Sequence, residues 1–580
     1  MDKVSALHRA ISVGRLDEVR NLVESGANVN IVHGMQGTAL CNALYSQHDE
    51  IVRYLIESGC DVNIPDYVGE PPLILALRKG RIQAAKWLID SPNCDINTCD
   101  AGTKQPAICF AAENGMNDIV KHLITKQTCK MDSVDGNGNS ALHLAILKKD
   151  TTIIKTLSRV HGLKSVYNNA GLLPVHMVSK TGDVEMLKIL YDDNSKCGVN
   201  FAGWVSKDLN SGTSFTNDTP LILAAEMGHT EMVSFLIEQG VDINARNNRN
   251  QTALLVTSGV NDLVTASVLL TAGANPNLSG MLTTCLARSA IGVILRDQRL
   301  TPLAAAAIFD SLEVAEALVV SGADIQVRDD RGQTPLFKAL QHDSSKVAWF
   351  LLNEIAERNL DISGFDSPAE SLLHAVIMCT KQAYDLARYL IQHGCSMTVC
   401  DRLANLPIQS AVAYENADVV EAILEEGGDP WVSDCSGSTP LHMSAMVGNT
   451  KIARLLLAHG ADIDSLSDEG TVVYTALDAD MVEFAKYLVC VGCSLSREWY
   501  LFEEHRPSDE DLECPGVLQD CKEIFAWFKD KASNAPSLQM LCVKTLRRIF
   551  GDKNKSFADI SNLPLPSKMI DMVCYKEVEI

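Results

Sequence analysis

The sequence predicts an all-α array of about fourteen helix–turn–helix units, followed by a short C-terminal stretch of a different kind. Three observations support this fold class. The chain has 580 residues, and a single packed core rarely grows past roughly 250–300 residues, so the chain is either several domains or an open-ended stack. One short phrase returns along it, with a Thr-Pro-Leu-His-like opening, an Ala-rich helix and a Gly-Ala-Asp-Ile ending. The copies are evenly spaced, which indicates a repeat architecture.

The spacing of the phrase is measured at its third position. Most copies follow the previous one after 32 to 35 residues. This period, together with the phrase Thr439-Pro440-Leu441-His442, resembles the ankyrin repeat over residues 1 to about 497. The resemblance implies a solenoid whose units each carry two helices and a short β-hairpin finger. The third-position residues are Leu7, Leu40, Leu73, Ile108, Leu142, Val175, Leu221, Leu254, Leu303, Leu336, Leu373, Ile408, Leu441 and Val473.

The residue types within each unit agree with two packed helices. Thr at the opening caps the first helix by accepting an orphan N–H, and Pro at the first turn loses no needed donor. Small residues such as Ala224 and Ala225 let the two helices approach closely. The second helix carries larger apolar residues at helical spacing, and Gly240 ends one of them because glycine accepts a positive φ. Each unit therefore exposes an apolar face that only the next unit covers.

Three of the steps between successive copies of the phrase are longer than the usual 32 to 35 residues. We predict repeats 1–6 in residues 1–192, a loop insertion at 193–218, and repeats 7–14 in residues 219–497 with a second insertion at 278–299. Insertions in repeat arrays map to one face and often bind partners. It is equally consistent with the sequence that the insertions have no binding role, or that they mark breaks between two sub-arrays of repeats. The first insertion suggests a two-part array, with about six repeats followed by about eight.

Composition excludes several classes of function. Fifty basic and 73 acidic side chains leave a net charge of −23, which argues against nucleic acid or an anionic membrane as the main partner. Eighteen cysteines are too few for a disulfide scaffold. The first residues have no signal-peptide pattern, and no apolar stretch is long enough to span a membrane. We therefore expect an intracellular protein with reduced thiols, in the cytoplasm and compatible with the nucleus.

Residues that resemble catalytic or metal-binding groups have a structural explanation. Five histidines recur at one position of the phrase, which indicates hydrogen bonding within the scaffold. Cys490 and Cys493 form a lone Cys-x-x-Cys without a second pair at zinc spacing. No phosphate-binding loop, dinucleotide turn or nucleophile elbow is present. We expect no catalytic residue, no metal and no cofactor. The five histidines are His8, His143, His176, His374 and His442.

The C-terminal stretch departs from the repeat. Residues 498–535 read as an acidic linker and a capping helix. In residues 536–580, Leu538, Cys542 and Leu546 recur at i, i+4 and i+8, the spacing of one helix face. The later Leu563-Pro564-Leu565-Pro566 opposes a helix and favours an extended backbone.

These two motifs, in this order, resemble a SOCS box over residues 536–580. The resemblance implies that Leu538, Cys542 and Leu546 bind elongin, and that Leu563, Pro564, Leu565 and Pro566 bind cullin. The whole chain resembles the ankyrin-repeat and SOCS-box family of cullin-RING ubiquitin ligase substrate receptors. That family implies four kinds of partner, namely elongins B and C, cullin-5, a RING subunit and a protein substrate. No RING-like Cys/His series is present, so ligase catalysis would come from partners.

An alternative of another class stays open. The chain would then be an ankyrin-repeat interaction scaffold without ligase function, whose C-terminal helices only cap the array. The charge adds an expectation about the target. Residues 1–500 carry 39 basic and 59 acidic side chains, whereas residues 536–580 carry 7 basic and 5 acidic ones. An acidic capture array favours a target with a basic patch.

Overall fold

The computed structural model describes residues 3–191, 210–282, 299–367, 370–479 and 481–493. The chain forms two compact units, Met1–Asp297 and Gln298–Ile580, which we call unit 1 and unit 2. The boundary between them falls inside the predicted 278–299 insertion. Most of both insertions and all of residues 498–580 lie outside the described residues.

Unit 1 contains sixteen α-helices among its described residues. Two 3-10 helices, Gly34–Gln36 and Leu163–Ser165, and the two-residue strand β1 (Gly280–Met281) complete it. The helices are α1 (Lys3–Val13), α2 (Leu16–Glu24), α3 (Ala39–Tyr45), α4 (Asp49–Glu57), α5 (Pro72–Arg78), α6 (Ile82–Asp90), α7 (Ala107–Glu113), α8 (Asn117–Ile124), α9 (Ala141–Lys148), α10 (Thr151–Leu157), α11 (Pro174–Thr181), α12 (Val184–Tyr191), α13 (Pro220–Glu226), α14 (Thr230–Glu238), α15 (Ala253–Gly259) and α16 (Leu263–Thr271).

Unit 2 contains twelve α-helices in its described part. A 3-10 helix, Ile362–Phe365, and three short strands, β2 (Arg299–Leu300), β3 (Leu466–Ser467) and β4 (Gly470–Thr471), accompany them. The helices are α17 (Pro302–Ile308), α18 (Leu312–Val320), α19 (Pro335–Gln341), α20 (Ser345–Glu357), α21 (Leu372–Val376), α22 (Ala383–Gln392), α23 (Pro407–Ala413), α24 (Ala417–Glu425), α25 (Pro440–Val447), α26 (Thr450–Ala458), α27 (Val472–Asp478) and α28 (Val482–Val491).

The helices pair in chain order, and each pair is one repeat. Eight pairs lie in unit 1 and six in unit 2, which confirms the prediction of about fourteen units. Within each unit, the first helix of a repeat packs on the first helix of the next repeat. The apolar core is therefore continuous along each unit, as expected for units that cannot bury their faces alone.

The opening phrase forms the helix starts that its residue types predict. The hydroxyls of Thr219, Thr301 and Thr334 each accept the N–H of the residue three positions later. Pro follows each of them in the first helical turn, where its missing N–H costs nothing. The run Ala304–Ala307 is fully buried where the helices approach closely. The same short phrase thus supplies both the cap that starts the first helix and the small residues that let the helices pack closely.

The segment between the second helix of one repeat and the first helix of the next is called a finger below. An Asp or Asn shapes most fingers, because its Oδ1 accepts two backbone N–H groups. Asp66 Oδ1 accepts from Val68 at 2.9 Å and from Glu70 at 2.8 Å. In the last finger, β3 and β4 form an antiparallel hairpin. The residues equivalent to Asp66 are Asp135, Asn168, Asn247, Asp329, Asp401 and Asp434.

Candidate binding face

The predicted elongin-binding and cullin-binding residues lie outside the described residues, so the site described here is the surface formed by the first helices and the fingers. We define the helix column as the residues five positions after the third residue of each phrase, at the end of each first helix. In unit 1 the helix column is Ser12, Tyr45, Arg78, Glu113, Leu147, Lys180, Glu226 and Gly259. In unit 2 it is Ile308, Gln341, Met378, Ala413, Met446 and Asp478.

Contacts in unit 1 show that the helix column faces the fingers. Tyr45 donates its hydroxyl proton to Asp66 Oδ2 across 2.6 Å. Arg78 donates from Nε to Glu70 Oε1 and from Nη2 to Asp100 Oδ1, each at 2.7 Å. Since these acids belong to two successive fingers, Arg78 joins them. The helix column and the fingers therefore form one surface.

Burial and charge shift the acidities on this surface. Burial, followed by the hydrogen bond to Asp66, raises the pKa of Tyr45. Burial raises the pKa of Glu70 in spite of the opposing charge of Arg78. Burial also acts to raise the pKa of Asp100, but hydrogen bonds from Thr103 and the charge of Arg78 outweigh it and lower that pKa.

The polar network of unit 1 extends into the next repeats. Gln105 Nε2 donates to Glu113 Oε2 at 2.7 Å, and Lys148 Nζ lies 3.5 Å from Glu113 Oε1. Lys79 lies over the ring of Tyr45, with its Nζ 4.9 Å from the ring centroid. Arg78 and Glu113 on this surface thus each lie close to an opposite charge of the same chain.

The helix column of unit 2 is apolar over three consecutive repeats. Met378 is 48% exposed and Met446 is 50% exposed. In the repeat between them the column residue is Ala413, and the next residue, Tyr414, is 65% exposed. Leu403 and Leu466 on the neighbouring fingers are also exposed. A large apolar side chain left in water indicates an interaction surface when several lie together.

Unit 1 exposes apolar residues mainly on its fingers, although Leu147 of its helix column is also 57% exposed. Ile31, Val32 and Met35 are exposed on the finger before α3, and Tyr67 and Val68 on the finger before α5. The helix column beside them is polar and occupied by the contacts of Tyr45 and Arg78. Unit 1 therefore offers apolar side chains mainly on its fingers, whereas unit 2 offers them at the ends of three successive first helices.

A buried ion pair fixes the finger of repeat 10. Lys338 Nζ lies 3.0 Å from Asp329 Oδ2, with 1% and 4% of the two side chains exposed. The ammonium also donates a hydrogen bond to Gln333 Oε1. Burial lowers the pKa of Lys338, and the charge of Asp329 opposes that shift. Repeat 10 thus holds its finger through one buried ion pair, whereas unit 1 uses the partly exposed ion pairs of Arg78.

The recurring histidines bridge successive repeats, as predicted from their position. His143 Nδ1 accepts the Ser140 N–H, and its Nε2 donates to Leu172 O at 3.0 Å. His176 Nε2 donates to Ser211 O at 2.8 Å. His374 and His442 make the equivalent contacts to Asn405 O and Gly470 O. Burial lowers the pKa of all four, that of His176 to about 4, so the neutral ring is the bonded form.

The first histidine departs from this pattern. His8 Nδ1 lies 3.2 Å from Asn42 Nδ2, and its ring stacks on His33 with centroids 4.9 Å apart. Burial and the neighbouring His33 lower the pKa of His8. This histidine therefore helps to close the first repeat by ring packing as well as by hydrogen bonding.

A shallow groove on the second helices α20 and α22 is already occupied by internal hydrogen bonds. Trp349 Nε1 donates to Gln382 Oε1 at 2.8 Å. Arg388 and Gln392 both donate to Glu426 Oε1, at 3.0 and 2.8 Å. Because these groups satisfy one another, the groove offers fewer open contacts than the finger face.

The described part of the chain contains no cluster of His, Cys, Asp or Glu arranged to hold a metal ion. Cys490 lies in the last turn of α28 and Cys493 follows it. No helix in the described ranges is long and apolar enough to cross a membrane.

Comparison with known families matches ankyrin repeats, in blocks of three copies, to residues 3–100, 108–201, 197–280, 282–364, 303–401 and 408–498. The chain belongs to the ankyrin-repeat family. The matched ranges end at residue 498, so the C-terminal motifs lie beyond them. An ankyrin-repeat protein of this kind binds other proteins through its repeats.

Similar ankyrin-repeat proteins are diverse. The chain is 23% identical to human transient receptor potential cation channel subfamily A member 1 over 68% of this chain and 37% of the channel. It is 25% identical to the E3 ubiquitin-protein ligase KEG of Arabidopsis thaliana over 76% of this chain and 23% of the ligase. It is 26% identical to mouse ankyrin repeat and SOCS box protein 16 over 46% of this chain and 58% of that protein. The chain thus spans only part of the length of each relative.

Sequence reasoning did not find the apolar helix column or the Lys338–Asp329 pair. A signal for the column was present, because reading one position across successive repeats gives Met378, Ala413 and Met446. The buried lysine gave no such signal, since lysine on a first helix is ordinarily exposed.

Proposed function

We propose that this ankyrin-repeat protein is the substrate-recognition subunit of an elongin B/C and cullin-5 type ubiquitin ligase. The array captures a target protein, and residues 536–580 recruit the ligase core. The chain itself is non-catalytic and acts in the cytoplasm or nucleus. One observation carries the proposal, namely the two adjacent C-terminal motifs that follow an ankyrin array with an open binding face.

The motif residues suit the roles assigned to them. Leu538, Cys542 and Leu546 have the spacing with which an amphipathic helix fills a hydrophobic groove. Burying one Leu contributes roughly 1.5–3 kcal/mol, and a small apolar Cys suits a tight position. Pro564 and Pro566 leave an extended segment little conformational entropy to lose on binding. The similarity to mouse ankyrin repeat and SOCS box protein 16 supports the same assignment.

The mechanism is proximity. The array holds the target on one part of the chain while the C-terminal segment holds the ligase core on another. The target's lysines then meet the ubiquitin-charged enzyme at a high effective concentration, without a catalytic residue on this chain.

Co-purification of the full chain with elongins B and C tests the proposal. We expect a stable complex that the double variant Leu538→Ala, Cys542→Phe loses, because it removes one anchor and enlarges the residue in the tight position. Val543→Ala is the matched control, since Val543 lies outside the i, i+4, i+8 series. Unchanged binding by the double variant would contradict the groove contact.

The second candidate is an ankyrin scaffold without ligase function. Its support is that the family match ends at residue 498 and that repeat arrays need caps at their ends. This candidate predicts that deleting residues 536–580 lowers the stability of the array and leaves ubiquitination of the target unchanged.

A further inference from the structure

We infer that the ends of the first helices of repeats 11–13 bind an amphipathic α-helix of the target, with a basic end of that helix on repeat 14. This inference rests on the proposed function, because it names the part of the array that captures the target and the chemistry that it recognises. Three observations on unit 2 and the net charge of the whole chain support it.

The first observation is that the apolar residues form an uninterrupted series. Met378, Tyr414 and Met446 lie at the ends of three successive first helices, and each is about half exposed or more. Leu403 and Leu466 add apolar area on the adjoining fingers. The apolar stripe of an amphipathic helix covers about 100° of its circumference. Such a helix is therefore wide enough to contact the first-helix ends and the adjoining fingers together.

The second observation is the spacing of the series. The first helices of these repeats pack on one another, and packed helices lie roughly 8–10 Å apart. An α-helix rises about 1.5 Å per residue, so 8–10 Å corresponds to about five to seven residues, and a step of seven returns close to the same helix face. Apolar residues near i, i+7 and i+14 of a target helix therefore meet the three anchors in register.

The third observation is an acidic end to the series. In repeat 14 the helix column residue is Asp478, and the neighbouring fingertip carries Asp468 and Glu469. All three are exposed. The ion pairs of unit 2 in the described residues engage other carboxylates. These three charges complement a group of Lys or Arg residues at one end of the bound helix.

The fourth observation distinguishes a basic target from a second copy of this chain. The chain carries a net charge of −23, and a second copy would bring like charge to an already acidic region. Repulsion of this kind disfavours self-association and favours a cationic partner.

A synthetic helical peptide tests this inference on the full chain. The probe carries Leu at i, i+7 and i+14, Ala and Gln elsewhere, three Lys at one end, and a fluorophore. Anisotropy should detect binding in the micromolar range at low salt. Replacing the three Lys by Glu should weaken binding at least tenfold, and raising the salt concentration should weaken the Lys peptide more than the Glu peptide.

Variants of the chain locate the contact. Met378→Asp, Tyr414→Asp and Met446→Asp should each weaken binding at least about tenfold, which equals about 1.4 kcal/mol. Asp468→Asn with Glu469→Gln should reduce the preference for the Lys peptide. Val320→Asp and Met35→Asp are matched controls, since both residues are exposed and apolar but lie on α18 and on a unit 1 finger. Both controls should bind as the unaltered chain does.

Four outcomes would overturn the inference. They are equal binding of the Lys and Glu peptides, loss of binding only in Met35→Asp, a dissociation constant above about 1 mM, or self-association of the chain that Tyr414→Asp abolishes. None of them depends on elongin binding. Failure here with intact elongin co-purification would therefore reject the docking surface and leave the proposed function in place.

Discussion

Repeats 2–4 of unit 1 and repeats 11–13 of unit 2 differ in the chemistry of the helix column. In unit 1, Tyr45, Arg78 and Glu113 of the helix column bond to finger residues of their own chain. In unit 2, Met378 and Met446 stand at the equivalent positions, about half exposed. A polar column is satisfied within the molecule, whereas an apolar column gains most from a partner. One repeat phrase thus supports internally bonded column residues in repeats 2–4 and exposed apolar ones in repeats 11 and 13.

The two units also differ in the residues at the start of each finger. In unit 1, Asn30 Oδ1 accepts the N–H of Asp61, and Asn63 Oδ1 accepts that of Asp95. Asn97 continues this series to Lys130. In unit 2 the equivalent positions hold Gln326, Ser363, Thr398, Trp431 and Asp464. Side-chain amides therefore join successive fingers in unit 1, while unit 2 fixes a finger through the internal Lys338–Asp329 pair.

The largest expected effect on stability is the loss of that buried pair. Lys338→Ala should cost unit 2 about 3–5 kcal/mol, because Asp329 would keep a buried charge without its partner. Chemical denaturation of the full chain measures the change. The double variant Lys338→Met, Asp329→Asn should recover part of the loss, and a loss below about 1 kcal/mol in the single variant would contradict the role of the pair.

The next prediction compares the loss of stability at a buried residue and at an exposed residue of the same repeat. Leu456→Ala in α26 should cost about 2–5 kcal/mol, because that side chain is fully buried and leaves a cavity. Met446→Ala in the same repeat should change the free energy of unfolding by less than about 0.5 kcal/mol. Equal losses for the two variants would mean that Met446 serves the fold instead of a partner.

The bridging histidines predict how stability changes with pH. Burial lowers the pKa of His176 to about 4 in the folded chain, against about 6.5 in the unfolded chain. The unfolded state therefore binds more protons below pH 6.5, so stability is highest above that pH and falls as the pH drops toward 4. His176→Gln should reduce this fall by up to about 3 kcal/mol between pH 7 and pH 4. An identical pH profile for the variant would refute the assignment.

The smallest of these effects concerns the solvent-edge network of unit 1. Arg78→Ala should cost about 1 kcal/mol, because Arg78 is 46% exposed and water screens its ion pairs with Glu70 and Asp100. Salt should reduce the difference between the variant and the unaltered chain. A loss as large as that of Lys338→Ala would remove the distinction between the two units.

Much of the fold follows from short-range chemistry and was therefore readable in the sequence. Thr301 and Pro302 specify a helix start by local hydrogen bonding and backbone geometry, and the recurring His143 already indicated a scaffold role. The Lys338–Asp329 pair was missed because its burial depends on packing between neighbouring elements. The division near residue 297 also depends on long-range packing. The roles of Leu538 and Leu563 stay predictions, since both lie outside the described residues.

Reconstituted ubiquitin transfer tests whether this chain joins a captured target to the ligase. The assay combines the full chain with elongins B and C, cullin-5, its RING subunit, the E1 and E2 enzymes and ubiquitin. Its substrate is a lysine-bearing carrier fused to the amphipathic peptide. We expect ubiquitin on the carrier, and loss of transfer in either the Tyr414→Asp variant or the double variant Leu563→Ala, Pro564→Ala. Transfer that neither change reduces would contradict the proposal that this chain joins a captured target to the ligase.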